Sequence, residues 1–248
     1  MNKNRLLLVP ALLLTSTIAN AEIEFSGYLT GTNNFMYRGL SLSANSAAIQ
    51  GQVTAKAESG LYATLWGSNT TLGTSRAPGV DRGGPGLEGN FLVGYTDNIT
   101  EDLAFDIGYL RTFYPGVKSV DGNRLDFNDF YGTLMYKGFS VGFSYSDDFF
   151  AETGSAMYTF ASYNAPVIND LSLIATIGHT RNSSREFLGL FGVDKKGWTH
   201  YELGLSHPLP YDFEVSGVYH WTTGEVKRGF DISGFGTNRF VVSLTKNF

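Results

Sequence analysis

The last ten residues of the chain alternate between apolar and polar side chains and end on an aromatic residue. In the segment 239–248, every second position counted back from Phe248 is apolar except Lys246. The intervening positions are polar apart from Val241. A period of two predicts a β-strand with one apolar face and one polar face. Because any half-buried strand has this pattern, the rest of the chain must decide the fold.

The same alternation recurs in segments spread along the whole chain. With the closing strand they predict twelve strands, an all-β fold and no long helix. The other predicted strands cover residues 23–30, 47–56, 61–66, 90–95, 105–110, 129–136, 139–146, 158–161, 171–178, 200–205 and 213–221.

The connections between these segments alternate in length. Tight turns at 58–60, 137–138 and 207–210 alternate with longer stretches that contain 76–86, 181–186 and 225–228. Short turns on one side and long loops on the other are typical of bacterial outer-membrane barrels, with the short turns in the periplasm. We therefore predict a transmembrane, antiparallel, up-and-down β-barrel.

The apolar faces of the predicted strands suit contact with lipid. A lone Lys or Arg facing lipid at the midplane costs roughly 2–4 kcal/mol. The apolar faces carry one charge at a strand end, Lys246, where the cost falls to about 0–1 kcal/mol. The aromatic residues near strand ends on this face suit interfacial girdles; they are Tyr95, Tyr136, Tyr145, Trp221 and Phe248.

The amino-terminal segment has the features of a secretory signal peptide. Lys3 and Arg5 precede an apolar run from Leu6 to Ala19, and Ala19 and Ala21 suit a signal peptidase. A membrane anchor is the alternative, but the run is short against the roughly 20 residues of a spanning helix. We predict cleavage after Ala21, which leaves 22–248 as the barrel and places it in the bacterial outer membrane.

The net charge and the composition of the chain exclude several classes of partner and binding site. Without Lys3 and Arg5, 16 of the 18 basic residues remain against 23 acidic ones, a net charge of about −7 that argues against nucleic acid. The chain has no cysteine, so neither disulfides nor thiolate metal sites are expected. The glycine-rich stretch 83–86 lacks the Lys and helix of a phosphate loop, and no cofactor is predicted.

Several short motifs together resemble the TorF-type family of porins. They are Ser26-Gly27 with Leu29, then Tyr37-Arg38-Gly39-Leu40-Ser41, then Ala48-Ile49-Gln50-Gly51, then the run 59–69, and the aromatic strand 109–113 followed by Tyr114-Pro115-Gly116. The family pattern usually has Phe where this chain has Tyr37. The resemblance implies an outer-membrane channel and leaves its solute open.

The inward faces of the predicted strands supply candidate pore-lining residues. Opposed rings of charge in a narrow pore set ion preference, whereas salt bridges that plug a small barrel are the alternative. Arg38 follows the first strand and is a candidate for the pore mouth. Arg111 has outward parity, so it lies past the membrane edge or the register slips there. The candidates are Lys56, Tyr62, Trp66, Asp129, Tyr131, His200, Glu202, His220 and Arg239.

Two histidines form the sharpest local candidate. If the strands pair across the turn 207–211 so that the numbers of inward-facing partners sum to about 420, His200 lies directly opposite His220, and His220 then neighbours Arg239 in the next hairpin. Two facing imidazoles could bind a transition metal or gate by protonation. The alternative is a pair of amphipathic lumen residues near the rim.

An enzyme is a further alternative. Barrel hydrolases carry a Ser–His dyad on the outer wall, and His179 with Ser162 is the candidate pair here. No nucleophile elbow frames it, so we expect no enzymatic activity.

The predicted function is passive diffusion of small polar solutes or ions through an outer-membrane channel. The competing reading is a closed barrel used for structure or surface contact. Expected partners are outer-membrane lipids, the solutes themselves, and the outer-membrane assembly machinery through the closing strand. Phe248 is predicted both to close the barrel and to mark the strand for that machinery. The oligomeric state is left open.

Overall fold

A computed structural model describes residues 22–71, 86–117, 123–182, 197–223 and 238–248. Within these ranges there is no helix long and apolar enough to cross a membrane. The fourteen strands of the described residues are, in chain order, β1 (Ile23–Thr32), β2 (Met36–Tyr37), β3 (Leu40–Ser41), β4 (Ala48–Ala57), β5 (Leu61–Asn69), β6 (Leu87–Asn98), β7 (Leu103–Phe113), β8 (Phe127–Tyr136), β9 (Phe139–Ser146), β10 (Ala156–Ile168), β11 (Leu171–Asn182), β12 (Gly197–Leu209), β13 (Phe213–Thr223) and β14 (Arg239–Asn247).

Twelve of these strands form one closed barrel, as the sequence predicts. Each pairs antiparallel with its neighbours along the chain, and β14 pairs with β1 to close the ring. The remaining two strands, β2 and β3, form a separate two-stranded hairpin within the β1–β4 connection. Closure leaves no barrel strand with an unpaired edge, which a barrel surrounded by hydrocarbon requires.

The connections alternate in length around the barrel. Tight turns at 58–60, 99–102, 137–138, 169–170 and 210–212 lie at one end, here called the short-turn end. The other, long-loop end carries every longer connection. The predicted long loops fall mainly on residues 72–85, 183–196 and 224–237, which lie outside the described residues, as does the predicted signal peptide 1–21.

The outer surface is apolar and the interior is polar. The exposed side chains Phe25, Ile49 and Phe130 have outward parity and are 71%, 67% and 61% accessible. Polar side chains of inward parity, such as Thr64 and Ser68, are buried. This is the reverse of a soluble protein, and an apolar exterior of this kind needs a hydrocarbon surrounding.

Two charged side chains on the outer face, Arg111 and Lys246, have polar partners near the strand ends. Arg111 has the outward parity that the sequence predicts and binds the Asp126 carboxylate at 2.8 Å and Asn128 at 3.0 Å, so the register does not slip there. Lys246 binds the Asp212 carboxylate at 3.2 Å at the short-turn end. Both charges are therefore neutralised where the barrel meets its loops.

One strand turns its aromatic residues the opposite way from the pattern. In β10 the sequence pattern groups Tyr158 and Phe160 on the outward face, but the structure exposes Met157, Thr159 and Ala161 instead. Tyr158 contacts side chains inside the barrel, which hold its bulky ring on the polar face.

This orientation also separates Ser162 from His179, the two residues of the candidate hydrolase pair. Ser162 shares the inward parity of Tyr158 and pairs with Thr176, whereas His179 lies exposed on the outward face and pairs with Thr159. The expectation that Ser162 and His179 share the outer wall is wrong, because the faces of β10 are inverted relative to the prediction.

Candidate functional site

The connection from β1 to β4 folds back into the barrel. Phe35, Leu40 and Leu42 are buried, as are the side chains of Ser41 and Ser43. At the centre of this connection β2 and β3 form a hairpin, Met36–Ser41, here called the inner hairpin. A surface loop would leave these side chains in water, so their burial places the hairpin within the barrel.

The base of the inner hairpin is fixed by hydrogen bonds to one asparagine and by aromatic packing. The Ser41 and Ser43 hydroxyls donate to Asn34 Oδ1 at 2.6 and 3.1 Å. Phe35 packs against Trp66 of β5, with ring centroids 5.4 Å apart. Trp66, a predicted pore-lining residue, therefore points inward but packs against this base.

The tip of the inner hairpin is hydrogen-bonded to the far wall. The Trp198 indole Nε1–H of β12 donates to the Arg38 carbonyl at 2.8 Å. The Thr222 hydroxyl of β13 donates to the Gly39 carbonyl at 2.9 Å. These bonds join the tip to strands that are distant from its own base.

The tip needs glycine at position 39. Its φ is +81°, and a Cβ there would lie 2.4 Å from the Cβ of His200. Arg38 itself has a φ of 49°. The left-handed backbone and the close approach to β12 together explain the glycine at position 39.

The Arg38 side chain binds two polar groups on the wall opposite the hairpin base. Its Nη2 donates to the Ser144 hydroxyl of β9 at 3.0 Å. The same nitrogen lies 3.7 Å from the Asp129 carboxylate of β8, and the two side chains are only 9% and 2% exposed. A buried guanidinium is thus balanced by a buried carboxylate.

Aromatic rings surround the same guanidinium. Its carbon lies 4.4 Å from the Tyr158 ring centroid, 4.8 Å from that of Tyr37 and 5.7 Å from that of Phe149. These are cation–π distances. Burial raises the pKa of Tyr37 well above its usual range, so its hydroxyl stays protonated and uncharged beside Arg38.

A line of polar contacts continues from Tyr158 along the wall. The Tyr158 hydroxyl and His200 Nε2 are hydrogen-bonded at 3.0 Å. His200 Nδ1 lies 3.6 Å from the Glu202 carboxylate, and His220 Nδ1 lies 3.3 Å from the same oxygen. Glu202 therefore lies between the two histidines.

The predicted pairing of the two histidines is wrong. Glu202 is the partner directly opposite His220, and His200 pairs with Thr222. The turn comprises residues 210–212 and centres on Tyr211, one residue later than expected, so each partner shifts by two. His220 does neighbour Arg239 across the next hairpin, as expected.

The metal hypothesis gains no support from this arrangement. Among the described residues there is no group of three or more His, Cys, Asp or Glu side chains placed to hold a metal ion. The two imidazoles are buried and share one carboxylate, an arrangement that suits hydrogen bonding within the wall.

Two tyrosines meet nearer the short-turn end. The Tyr62 hydroxyl donates to Asp106 Oδ1 at 2.7 Å and also contacts the Tyr131 hydroxyl. Lys56, directly opposite Tyr62, has inward parity and is exposed. These side chains remain half-buried or exposed, unlike those beneath the inner hairpin.

The last two predicted site residues lie at opposite ends of the barrel closure. Arg239, at the long-loop end of β14, donates from Nε to Asn45 beside the inner hairpin. Phe248 exchanges two main-chain hydrogen bonds with Gly27 of β1, at 2.9 and 3.0 Å. The chain end thus lies in the seam between β14 and β1.

Several residues of the site are not identified by the sequence patterns. Ser144, Tyr158, Trp198 and Thr222 bind the tip of the inner hairpin, and nothing in their own strands signals this role. The Tyr37-Arg38-Gly39 run is the one available signal. A basic residue before glycine in a buried connection predicts a tight turn, but not which wall it reaches.

A family model described as "Bacterial protein of unknown function (Gcw_chp)" matches residues 17–248. The chain belongs to the Gcw_chp family. Among curated proteins there is no match to this Gcw_chp protein. Its fold is similar to that of solved outer-membrane porins.

The NanC porin is 10% identical, with a TM-score of 0.54 over 88% of this chain and 97% of that one. The KdgM porin is 9% identical, with a TM-score of 0.50 over 91% and 99% of the two chains. A second KdgM structure with the same values is described as a complex with disordered oligogalacturonate. At these identities the likeness is one of fold.

Proposed function

We propose that this protein is a channel of the bacterial outer membrane through which small polar solutes or ions diffuse passively. The observation that carries the proposal is a closed barrel with an apolar exterior, into which the inner hairpin folds until its tip bonds the far wall. A loop anchored inside a barrel narrows the passage and presents chosen side chains to a passing solute. Arg38, buried against Asp129, anchors the tip of this loop to the far wall.

The short-turn half of the barrel supports a water-filled passage. Tyr28, Gln52, Tyr62 and Tyr131 point inward and are only half-buried. Twelve strands enclose more space than the eight that side chains alone can fill. The inner hairpin occupies part of that space towards the long-loop end.

Localisation and assembly belong to the same proposal. Residues 1–21 would direct export through the secretory pathway. Lipids would cover the apolar exterior, and the closing strand with Phe248 would engage the outer-membrane assembly machinery. The resemblance to TorF-type porins supports a channel within the Gcw_chp family. Acidic oligosaccharides are an alternative class of solute, by analogy with the KdgM structure that is described as a complex with oligogalacturonate.

A closed barrel is the second candidate. It is favoured by the deep burial of Asp129 and His200, each 1% exposed, beside the tip of the inner hairpin. If that packing leaves no path past the tip, the barrel serves structure or surface contact. An outer-wall hydrolase is not favoured, since Ser162 and His179 lie on opposite faces.

A liposome-swelling assay distinguishes the two candidates. Liposomes that hold the folded protein should swell in an isosmotic solution of a small neutral sugar, and protein-free liposomes should not. A heat-dependent shift in gel mobility establishes that the barrel is folded. Folded, inserted protein that leaves the liposomes sealed would favour the closed barrel. Hydrolysis of an ester substrate by the same preparation would instead support the hypothesis of an outer-wall hydrolase.

A further inference from the structure

The charged side chains inside the barrel are not balanced. Within the described residues, eight charged side chains of inward parity come from the barrel strands and a ninth from the inner hairpin. Six are acidic and three are basic. They are Glu24, Glu88, Asp106, Asp129, Glu202, Glu214, Lys56, Arg239 and Arg38.

Three of these side chains do not add charge to a water path. Glu88 is 3% exposed and accepts a hydrogen bond from the Tyr114 hydroxyl at 3.1 Å. Arg38 and Asp129 form a buried pair 3.7 Å apart, whose charges largely cancel at distances longer than that separation. A solute in the passage therefore meets the field of the remaining six.

Those six comprise four carboxylates and two cations. Glu24, Asp106, Glu202 and Glu214 are exposed or half-buried, and so are Lys56 and Arg239. The histidines beside Glu202 are buried and carry charge only when protonated. The water-facing surface of the described lumen therefore has a net charge of about −2, from four negative and two positive groups.

The excess is concentrated at the short-turn end. Glu24 and Glu214 are the second residues of β1 and β13, and Asp106 is the fourth of β7. Lys56, which pairs with Glu24, is the single cation among these end positions. Carboxylates that ring a pore mouth raise the local concentration of cations and repel anions.

We infer that the passage prefers small cations over anions, with the ring of Glu24, Asp106 and Glu214 as its selectivity determinant. The inference rests on the proposed channel and names its solute class. It differs from the acidic cargo considered above, because a polyanion would meet like charge at the short-turn end.

Reversal potentials in planar bilayers test the preference. The folded full-length barrel is inserted between 0.1 M and 0.3 M KCl, and the zero-current potential should shift towards that of K⁺. The preference should weaken when both solutions are near 1 M, because the Debye length falls from about 10 Å at 0.1 M to about 3 Å. A reversal potential on the Cl⁻ side would overturn the inference and leave the channel intact.

Matched variants locate the determinant. The triple variant Glu24→Gln, Asp106→Asn, Glu214→Gln should lose most of the cation preference. Lys56→Gln should increase it, which is a change that a folding defect cannot imitate. The control Glu58→Gln, Glu101→Gln removes carboxylates from two short turns at the same end and should leave the reversal potential unchanged. An equal effect of this control would refute the assignment to the lumen ring.

The failure of the channel itself gives a separate result. Folded, inserted protein without conductance steps would remove the proposed function, and the cation preference with it. Conductance steps with no ion preference, or with an anion preference, would remove the preference alone.

Discussion

The guanidinium carbon of Arg38 lies 4.4 Å from the centroid of the Tyr158 ring. The hairpin that carries Arg38 leaves the barrel wall after β1, and Tyr158 belongs to β10. In the closed ring of twelve strands, β10 is five places from β1 in one direction and seven in the other. The contact therefore spans the lumen, and it ties the opposite walls through one side chain.

Replacement of Arg38 should destabilise the barrel. Arg38→Ala leaves the buried Asp129 carboxylate without its cation, and breaking a buried pair costs roughly 3–5 kcal/mol. Urea unfolding of the folded protein should show this loss. The double variant Arg38→Ala, Asp129→Asn should recover most of it, because the unpaired charge is gone. Equal stability of the single and double variants would contradict the cost assigned to the unpaired Asp129 carboxylate.

Gly39→Ala should displace the hairpin tip. The added methyl would lie 2.4 Å from the His200 Cβ, and the left-handed backbone costs a further 1–2 kcal/mol or so. Gly116→Ala has the same backbone strain, with a φ of +82° but open space around its Cβ, so it isolates the strain. The Cβ added by Gly31→Ala would have no neighbour within 4 Å, so this variant should keep the wild-type structure and conductance. Channel conductance should rise for Gly39→Ala and stay unchanged for both controls.

The twelve barrel strands follow from alternation because lipid contact imposes the same pattern on every strand. The inner hairpin does not follow, since β2 and β3 are too short to show a period and their partners are Trp198 and Thr222, far along the chain. Tyr158 is misassigned for a related reason. Its ring is apolar enough for the lipid face, and the contacts with Arg38 and His200 that turn it inward are invisible in its own strand.

The register of β12 and β13 can be checked with engineered cysteines, because the chain has none of its own. Leu203 and Tyr219 are direct partners on the outer face. Leu203→Cys, Tyr219→Cys should form a disulfide on oxidation, since direct partners lie within the 4.4–6.8 Å Cα spacing that a disulfide needs.

The pair Leu203→Cys, Gly217→Cys is the matched control. It represents the register in which His200 faces His220, and its Cα atoms are roughly 7–8 Å apart as diagonal neighbours. It should stay reduced under the same oxidant. Preferential cross-linking of this second pair would overturn the register and restore the facing histidines.

Deletion of Phe248 should impair barrel closure. It removes two main-chain hydrogen bonds to Gly27, each contributing about 0.5–1.5 kcal/mol. Phe248→Ala keeps those bonds and removes only the ring. In refolding into detergent, the deletion should lower the folded yield more than the alanine variant does.

In cells both changes should lower membrane insertion if the ring marks the strand for assembly. The pore properties of the fraction that inserts should stay unchanged in either variant. Normal membrane yield of both variants would contradict the role assigned to Phe248.

The central claim is that the inner hairpin constricts an otherwise open barrel. Single-channel conductance of the wild type, measured beside a variant lacking Tyr37–Leu40, tests it most directly. The variant removes the tip that bonds Trp198 and Thr222, and leaves the twelve barrel strands in place. We predict small conductance steps for the wild type and clearly larger steps for the variant. Equal conductance from two folded, inserted proteins would contradict the claim.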